Sequence, residues 1–147
     1  MNNRLSCKHA TAIISGKNDY SNLRGRVYFY QKKNYVLVEA KISGLPKSDT
    51  GFFGFHIHQG NNCGGYVFEN TKGHYNPYST PHPSHAGDLP PLILSDGGAY
   101  LAFTTNRFCV SDIIGRTVVI HSSPDDFNTQ PAGNAGAKIA CGIITGI

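Results

Sequence analysis

Short runs of alternating apolar and polar residues follow one another along most of the chain. Residues 35–43 (YVLVEAKIS) show this pattern clearly, because every second residue is apolar: Val36, Val38, Ala40 and Ile42. Successive side chains of a β-strand point to opposite faces, so these four would share one buried face. The pattern predicts a half-buried strand.

Further runs rich in β-branched and aromatic residues predict strands at 9–15, 25–31, 52–58, 91–95, 99–105, 116–121 and 138–144. The sequence QKKNY predicts a hairpin between the second and third strands. No helix, repeat or domain linker is predicted. We therefore expect a single all-β domain over residues 1–147, an eight-stranded antiparallel Greek-key β-sandwich or flattened barrel.

Two long stretches, 59–90 and 122–137, do not fit the strand pattern. Each begins directly after a predicted strand that ends in histidine, at His58 and at His121. Compact domains rarely carry irregular loops of this length unless the loops are functional. The two loops are therefore predicted to form the functional site.

Composition excludes several classes of partner. Hydrophobic residues make up 39% of the chain and charged residues 15%, which is typical of a folded domain. The net charge of +4 comes without a basic block, so no nucleic-acid partner is indicated. No segment is apolar enough to span a membrane, and the N-terminus carries no visible signal peptide. We expect a cytoplasmic protein, or an exported one whose leader is absent from this sequence.

Six of the seven histidines lie at the ends of two predicted strands or in the first long loop: His56, His58, His74, His82, His85 and His121. His56 and His58 form an H-x-H on a strand, so both imidazoles point to one face and could reach one ion. Neutral imidazole suits copper and zinc, and the nearby Asp88 favours zinc. The cluster predicts a metal site, whereas the isolated His9 is expected to be structural or solvent-facing.

Each of these features taken alone has a simpler explanation. A single H-x-H is a weak signal, His85 with Asp88 could form an ordinary loop hydrogen bond, and His121 could be a strand-edge histidine. A zinc site of the metallo-β-lactamase kind needs H-x-H-x-D-H, and a cupin needs Glu three or four residues after H-x-H. Residues 59–63 (QGNNC) meet neither requirement.

Five segments of the chain closely resemble those of copper–zinc superoxide dismutases: GFHIHQGNNC, GHYNP, PHPSHAGDLPPL, GRTVVIHSSPDDF and GNAGAKIACGII. They follow one another in the family's order from residue 54 to the C-terminus, and the spacing from His74 to Asp88 matches throughout. Residues 1–50 add only compatible strands. The family's motifs are therefore found from residue 54 onward, and in residues 1–50 the resemblance rests on the strand pattern alone.

The resemblance implies two metal cofactors, copper and zinc, with overlapping ligand sets. Copper would be held by His56, His58, His74 and His121. Zinc would be held by His74, His82, His85 and Asp88. His74 would bridge the two metals as an imidazolate. Three nitrogens and one carboxylate make a closed tetrahedral zinc site, which leaves the redox chemistry to copper.

The reaction that the resemblance implies is the dismutation of superoxide to dioxygen and hydrogen peroxide, with copper alternately reduced and reoxidised. His74 would carry one of the two protons, a role that suits imidazole near neutral pH. Asp125 would link a copper histidine to a zinc histidine through hydrogen bonds. Lys138 stands where the family usually has arginine. It would keep the charge that steers the anion but lose arginine's planar two-pronged donor.

The four cysteines, Cys7, Cys63, Cys109 and Cys141, lack C-x-x-C spacing, which argues against a zinc ribbon. One disulfide is compatible with the sequence, which does not by itself pair them. The resemblance implies a bond between Cys63 and Cys141 that tethers the loop after His58 to the last strand. It leaves Cys7 and Cys109 free.

Two other functions stay open at this point. The same scaffold could be a non-catalytic copper- and zinc-binding or copper-delivery domain, or a structural β-domain stabilised by zinc alone. Relatives of the first kind typically lose copper ligands, and all of them are present here, which favours the enzyme. The expected partner is the small anion superoxide. Dimers are common in the family, so a homodimer is compatible with the sequence, which does not fix the oligomeric state.

Overall fold

Nine strands make up most of the regular structure in residues 9–147, the part of the chain that the computed structural model describes. They are β1 (His9–Gly16), β2 (Arg24–Gln31), β3 (Val36–Ser43), β4 (Phe52–Phe53), β5 (Phe55–His58), β6 (Leu92–Ile93), β7 (Gly98–Thr105), β8 (Thr117–His121) and β9 (Lys138–Gly146). Two 3-10 turns, Asn18–Tyr20 and Glu69–Thr71, and one helical turn, α1 (Val110–Ile113), complete the elements. Cys7 lies outside the described residues.

Seven of the strands form one curled antiparallel sheet in the order β5-β8-β9-β1-β2-β3-β7. Strands β4 and β6 pair separately. The C-terminal strand β9 lies between β8 and β1, so the two ends of the described chain meet in the middle of the sheet. β5 is an edge strand, with β8 as its only sheet partner among these elements. The predicted antiparallel all-β fold class is confirmed.

The core forms where the curled sheet faces itself. Along β3, buried and more exposed residues alternate, and the predicted apolar face of that strand is the buried one. Phe29, Phe53 and Phe55 are fully buried in the same cluster. Burying a side chain of this kind stabilises the fold by about 2 kcal/mol. The half-buried pattern predicted for residues 35–43 is therefore confirmed.

The predicted strand 52–58 divides at Gly54. Phe52 and Phe53 pair with β6, while residues 55–58 pair with β8. A Cβ atom at Gly54 would lie 2.8 Å from the Cβ of Ala135 and 3.2 Å from the Cβ of His121. Glycine therefore lets the chain cross between the two sheets directly beneath the second long loop.

The expectation of no helix is wrong for one turn, Val110–Ile113. Its side chains at both ends are buried, and the backbone N–H of Cys109 donates to the carboxylate of Asp112 at 2.8 Å. This capping contact stabilises a helix start. The turn is too short to show a 3.6-residue period, so the apolar pattern carries no signal of it.

The disulfide between Cys63 and Cys141 forms, with a Cα–Cα distance of 5.8 Å. It ties the loop after β5 to β9. Lys17 holds the same loop, since its Nζ donates to the carbonyl of Cys63 at 2.7 Å and to that of Gly65 at 3.0 Å. The same ammonium lies 4.5 Å from the ring centroid of Phe68. The disulfide pairing is confirmed.

We predict that Cys63→Ser lowers the free energy of unfolding of the metal-free protein by about 4 kcal/mol, because the bond closes a large loop and restricts the unfolded chain. The bonded residues are 78 positions apart. Cys109→Ser is the matched control, since Cys109 is exposed and unbonded. Urea unfolding without reductant measures both. Equal stability of the two variants would contradict the prediction.

Candidate metal centre

The first long loop folds back onto the free edge of β5. The backbone N–H of Tyr75 donates to the carbonyl of Ile57 at 2.8 Å, and the N–H of Ile57 donates to the carbonyl of Gly87 at 2.9 Å. These bonds create two isolated bridges, which pair His58 with His74 and His56 with Asp88. The loop thus delivers its metal-binding side chains beside the H-x-H of the strand.

Two groups of side chains result, each with ligand atoms that all lie within 4.8 Å of one another. The first, group A, comprises His56, His58, His74 and His121. The second, group B, comprises His74, His82, His85 and Asp88. All six histidines are buried. The structure therefore brings together every ligand residue that the sequence singled out.

Three members of group A lie on two neighbouring strands of the sheet, and His74 joins them from the first long loop. His56 and His58 lie two residues apart on β5, and His121 ends β8, which pairs with β5. The Nε2 atoms of His58 and His121 face each other at 3.2 Å. The bulge between Ile120 and His121 lets this last residue leave the regular ladder.

Group B is built entirely from the first long loop, around Asp88. One carboxylate oxygen of Asp88 lies 2.8 Å from Nδ1 of His74. The other lies 3.1 Å from Nδ1 of His82 and 3.2 Å from Nδ1 of His85. Three imidazole nitrogens and one carboxylate thus converge on one point, which is the donor set of a closed zinc site.

His74 belongs to both groups. Its Nδ1 faces group B and Asp88, and its ring lies 4.0 Å from that of His56 in group A, centroid to centroid. Its Nε2 is buried without a hydrogen-bond partner among residues 9–147. Each ring nitrogen of this one imidazole is therefore available to a different group.

The residues present fit two metal ions. Nδ1 of His56 and Nδ1 of His82 are also buried and lack a partner in hydrogen-bond geometry within the described chain. Buried polar atoms are normally satisfied, so unpaired ring nitrogens within a cluster of donors fit metal coordination. Nitrogen donors with one carboxylate suit copper and zinc.

Three histidines of group A are held neutral, as metal ligands must be. Burial lowers the pKa of His56, and it lowers the pKa of His58 well below its usual value. Burial also lowers the pKa of His121 to about 3. Burial acts to raise the pKa of Asp88, but the hydrogen bond from His74 and the nearby imidazoles outweigh it, so the net pKa is lowered. The centre thus combines neutral nitrogens in group A with an ionised carboxylate in group B.

Asp125 connects the two groups through hydrogen bonds to one histidine of each. Nε2 of His56 donates to Oδ2 and Nε2 of His82 donates to Oδ1, each at 2.7 Å. The backbone N–H of Phe127 donates to Oδ1 at 2.7 Å. Burial acts to raise the pKa of Asp125, but these hydrogen bonds hold it well below its usual range. Because each Nε2 carries the proton, each Nδ1 presents its lone pair to the metal groups.

Gly133 makes this connection possible. Its φ is 74°, and a Cβ there would overlap the carboxylate of Asp125 and the ring of His82. The second long loop can therefore close over the Asp125 hydrogen bonds only with glycine at this position.

Lys138 begins β9 opposite His121. Its Nζ donates to Oγ1 of Thr71 at 2.7 Å and to the carbonyl of Lys72 at 2.9 Å. It lines a cavity of about 450 Å³ whose floor includes His58, His74 and His121. Burial lowers the pKa of Lys138, and the charge of Glu69 opposes that shift. The lysine is thus fixed at the mouth of group A.

Several contacts of the metal centre were not predicted from the sequence. The carbonyl of Lys72 accepts from Nδ1 of His58 at 2.7 Å, and the side chain of Gln130 makes two hydrogen bonds with the backbone of His82. A backbone carbonyl is the same in every residue, so no residue pattern could have indicated the first contact. His9 lies on β1 beside Tyr30 and in neither group; its structural or solvent-facing role stays a prediction.

The fold and these two groups define a metal-binding β-domain. The sequence profile of the family described as copper/zinc superoxide dismutase (SODC) matches residues 23–144. Cu-Zn superoxide dismutase 3 of Arabidopsis thaliana is 37% identical, with 92% of this chain and 88% of that relative covered. Cu-Zn superoxide dismutase 2 of Aquifex aeolicus is 35% identical, with 82% and 78% covered. The chain belongs to the copper/zinc superoxide dismutase family.

This membership confirms the predicted family, the enzyme class, the superoxide-dismutating function and the copper and zinc cofactors. A further relative, 32% identical over 96% of this chain, is the protein of Brugia pahangi named extracellular Cu-Zn superoxide dismutase. None of the helices in residues 9–147 has the length and hydropathy of a membrane span. The cytoplasmic or exported location and the homodimer stay predictions.

We predict that Asp125→Asn weakens metal binding by about 10- to 100-fold, because the amide cannot accept from both His56 and His82 while keeping both rings in place. Asp126→Asn is the matched control, since the carboxylate of Asp126 accepts only from residues 128 and 129 of its own loop within the described chain. Competition with a chelator, followed by metal analysis, measures the affinity of each variant. Comparable losses in the two variants would contradict the role given to Asp125.

Proposed function

We propose that group A holds the copper, that group B holds the zinc, and that Lys138 guides superoxide to the copper side of the centre. The observation that carries this assignment is His74, whose two ring nitrogens face different groups. With both ions bound, His74 would offer one ring nitrogen to each of them and so link the two groups.

The donor atoms favour this distribution of the metals. Group B offers three nitrogens and one carboxylate, all inside the loop, which suits a closed tetrahedral zinc site. Group A offers nitrogens only and opens onto the cavity that Lys138 lines. Copper, when bound there, supplies the one-electron chemistry that dismutation needs, since it is stable in two oxidation states.

His74 is the proposed proton carrier. Its Nδ1 lies among the donors of group B, 2.8 Å from Asp88, which leaves its unpaired Nε2 for group A. A proton held at this Nε2 would be delivered to the reduced oxygen species, which leaves as hydrogen peroxide after taking a second proton from water. An imidazole is suited to hold and release a proton near neutral pH.

Lys138 supplies the fixed positive charge for the substrate. Thr71 and the carbonyl of Lys72 each accept from its Nζ, which leaves one of its three N–H groups to face the cavity. Superoxide is a small monoanion, and a cation at the mouth of a cavity raises its local concentration. Lysine offers a point charge here rather than the planar fork of arginine.

We predict that His121→Ala removes copper binding and activity while zinc stays bound, because His121 belongs to group A alone. His85→Ala is the matched variant, since His85 belongs to group B alone, and it should release zinc while retaining copper. Metal content after dialysis against both ions, together with the rate of superoxide dismutation, separates the two. Loss of both metals in both variants would contradict the assignment, and stoichiometric metals without dismutation in the wild type would overturn the proposed activity.

We predict that Lys138→Gln lowers the second-order rate constant for superoxide by about tenfold at low ionic strength, because the steering charge is lost. Lys138→Arg should raise the wild-type rate constant, since the guanidinium adds a two-pronged donor. Pulse radiolysis at two salt concentrations measures both, because salt screens the steering. An unchanged rate in Lys138→Arg would show that the lysine is not limiting.

A further inference from the structure

Lys72 holds a backbone conformation that suits glycine. Its φ is 62° and its ψ is −150°. This region is strained for any residue with a Cβ, and such strain persists mainly at functional sites. The residue lies between the disulfide loop and His74, at the rim of the metal centre.

The backbone of Lys72 is fixed in this conformation by its own hydrogen bonds. Its carbonyl accepts from Nδ1 of His58 at 2.7 Å and from Nζ of Lys138 at 2.9 Å, and its N–H donates to the carbonyl of Glu69 at 3.1 Å. All three contacts use main-chain atoms of Lys72. Glycine would make each of them without the strain, so the backbone does not explain the lysine side chain.

The side chain lies where a positive charge would act on an anion. Lys72 is exposed and forms no ion pair within residues 9–147. It lines the 450 Å³ cavity over group A together with Lys138, and also a neighbouring cavity of about 370 Å³ together with Arg116. No carboxylate lines either cavity; the nearest acids in the described chain include Glu69, whose charge acts on Lys138, and Asp112, whose carbonyl accepts from Arg116.

We infer that Lys72 is a second steering cation for the anionic substrate, placed on the disulfide side of the cavity mouth. This inference rests on the proposed function and adds to it a residue outside both metal groups. Lys72 lines both cavities, so its charge lies between Lys138, which lines the first, and Arg116, which lines the second. Lys72 acts at a distance through its charge, so its effect must fade as salt screens it.

The charge of the Lys72 side chain and the strain of its backbone can be tested by two different substitutions. Lys72→Gln removes the charge and keeps the strained Cβ. Lys72→Gly removes the charge and the strain together. Lys33→Gln, on the β2–β3 hairpin and outside both cavities, is the control for the same change in net charge.

We expect Lys72→Gln and Lys72→Gly to lower the rate constant for superoxide by about twofold at low ionic strength and by nothing measurable at high salt. Lys33→Gln should leave it at the wild-type value under both conditions. In addition, Lys72→Gly alone should raise the thermal midpoint of the metal-free, disulfide-bonded protein by about 2–5 °C, because it relieves the strained backbone.

A titration with azide, a small monoanion that binds copper(II), gives a second measure that does not depend on turnover. Its dissociation constant should rise about twofold in both Lys72 variants at low salt and stay unchanged in Lys33→Gln. Wild-type rate and azide affinity in both Lys72 variants would overturn the inference, as would losses that persist at high salt. Azide binding that depends on Lys72 in a protein without dismutase activity would refute the proposed function and leave the steering role supported.

Discussion

The metal centre depends on the pairing between the first long loop and the free edge of β5. An edge strand exposes unpaired N–H and C=O groups, and the segment from His74 to Asp88 satisfies part of them. Backbone hydrogen bonds to β5 thereby fix the positions of loop residues that form no regular strand of their own. This pairing puts His74 beside His58 and Asp88 beside His56, so ligands that are distant in the sequence meet at one point.

The neutral state of three buried histidines of group A follows from the same enclosure. A buried imidazolium would lose its hydration, so burial lowers the pKa of His56, His58 and His121 and leaves their lone pairs free. The two carboxylates of the centre remain ionised because histidine rings donate hydrogen bonds to them. One of them, Asp125, bonds to a ring in each group and so fixes the orientation of both. The second loop thus supplies the carboxylate of Asp125, whose hydrogen bonds fix one ring of each metal group.

One main-chain carbonyl, that of Lys72, links the metal groups to the cavity above them. It orients the ring of His58 and anchors the ammonium of Lys138 at the same time. The chain reaches this geometry in a conformation that is unfavourable for a side chain. Stability is therefore lower at the rim of the site than glycine would allow, a cost that the disulfide and Lys17 help to offset by securing the neighbouring loop.

The sequence alone determined the chemistry of this protein. The H-x-H on a strand and the histidine-rich loop ending in Asp88 depend on residue type, so a metal site could be predicted from them. The division into two metal groups and the disulfide pairing followed from the resemblance of five segments to the family. Only the tertiary structure decided how these residues are held. The division of the strand at Gly54, the turn at Val110–Ile113 and the carbonyl of Lys72 depend on contacts between distant segments. Main-chain atoms carry no residue signature, and short elements show no period, so long-range packing settles them where local pattern cannot.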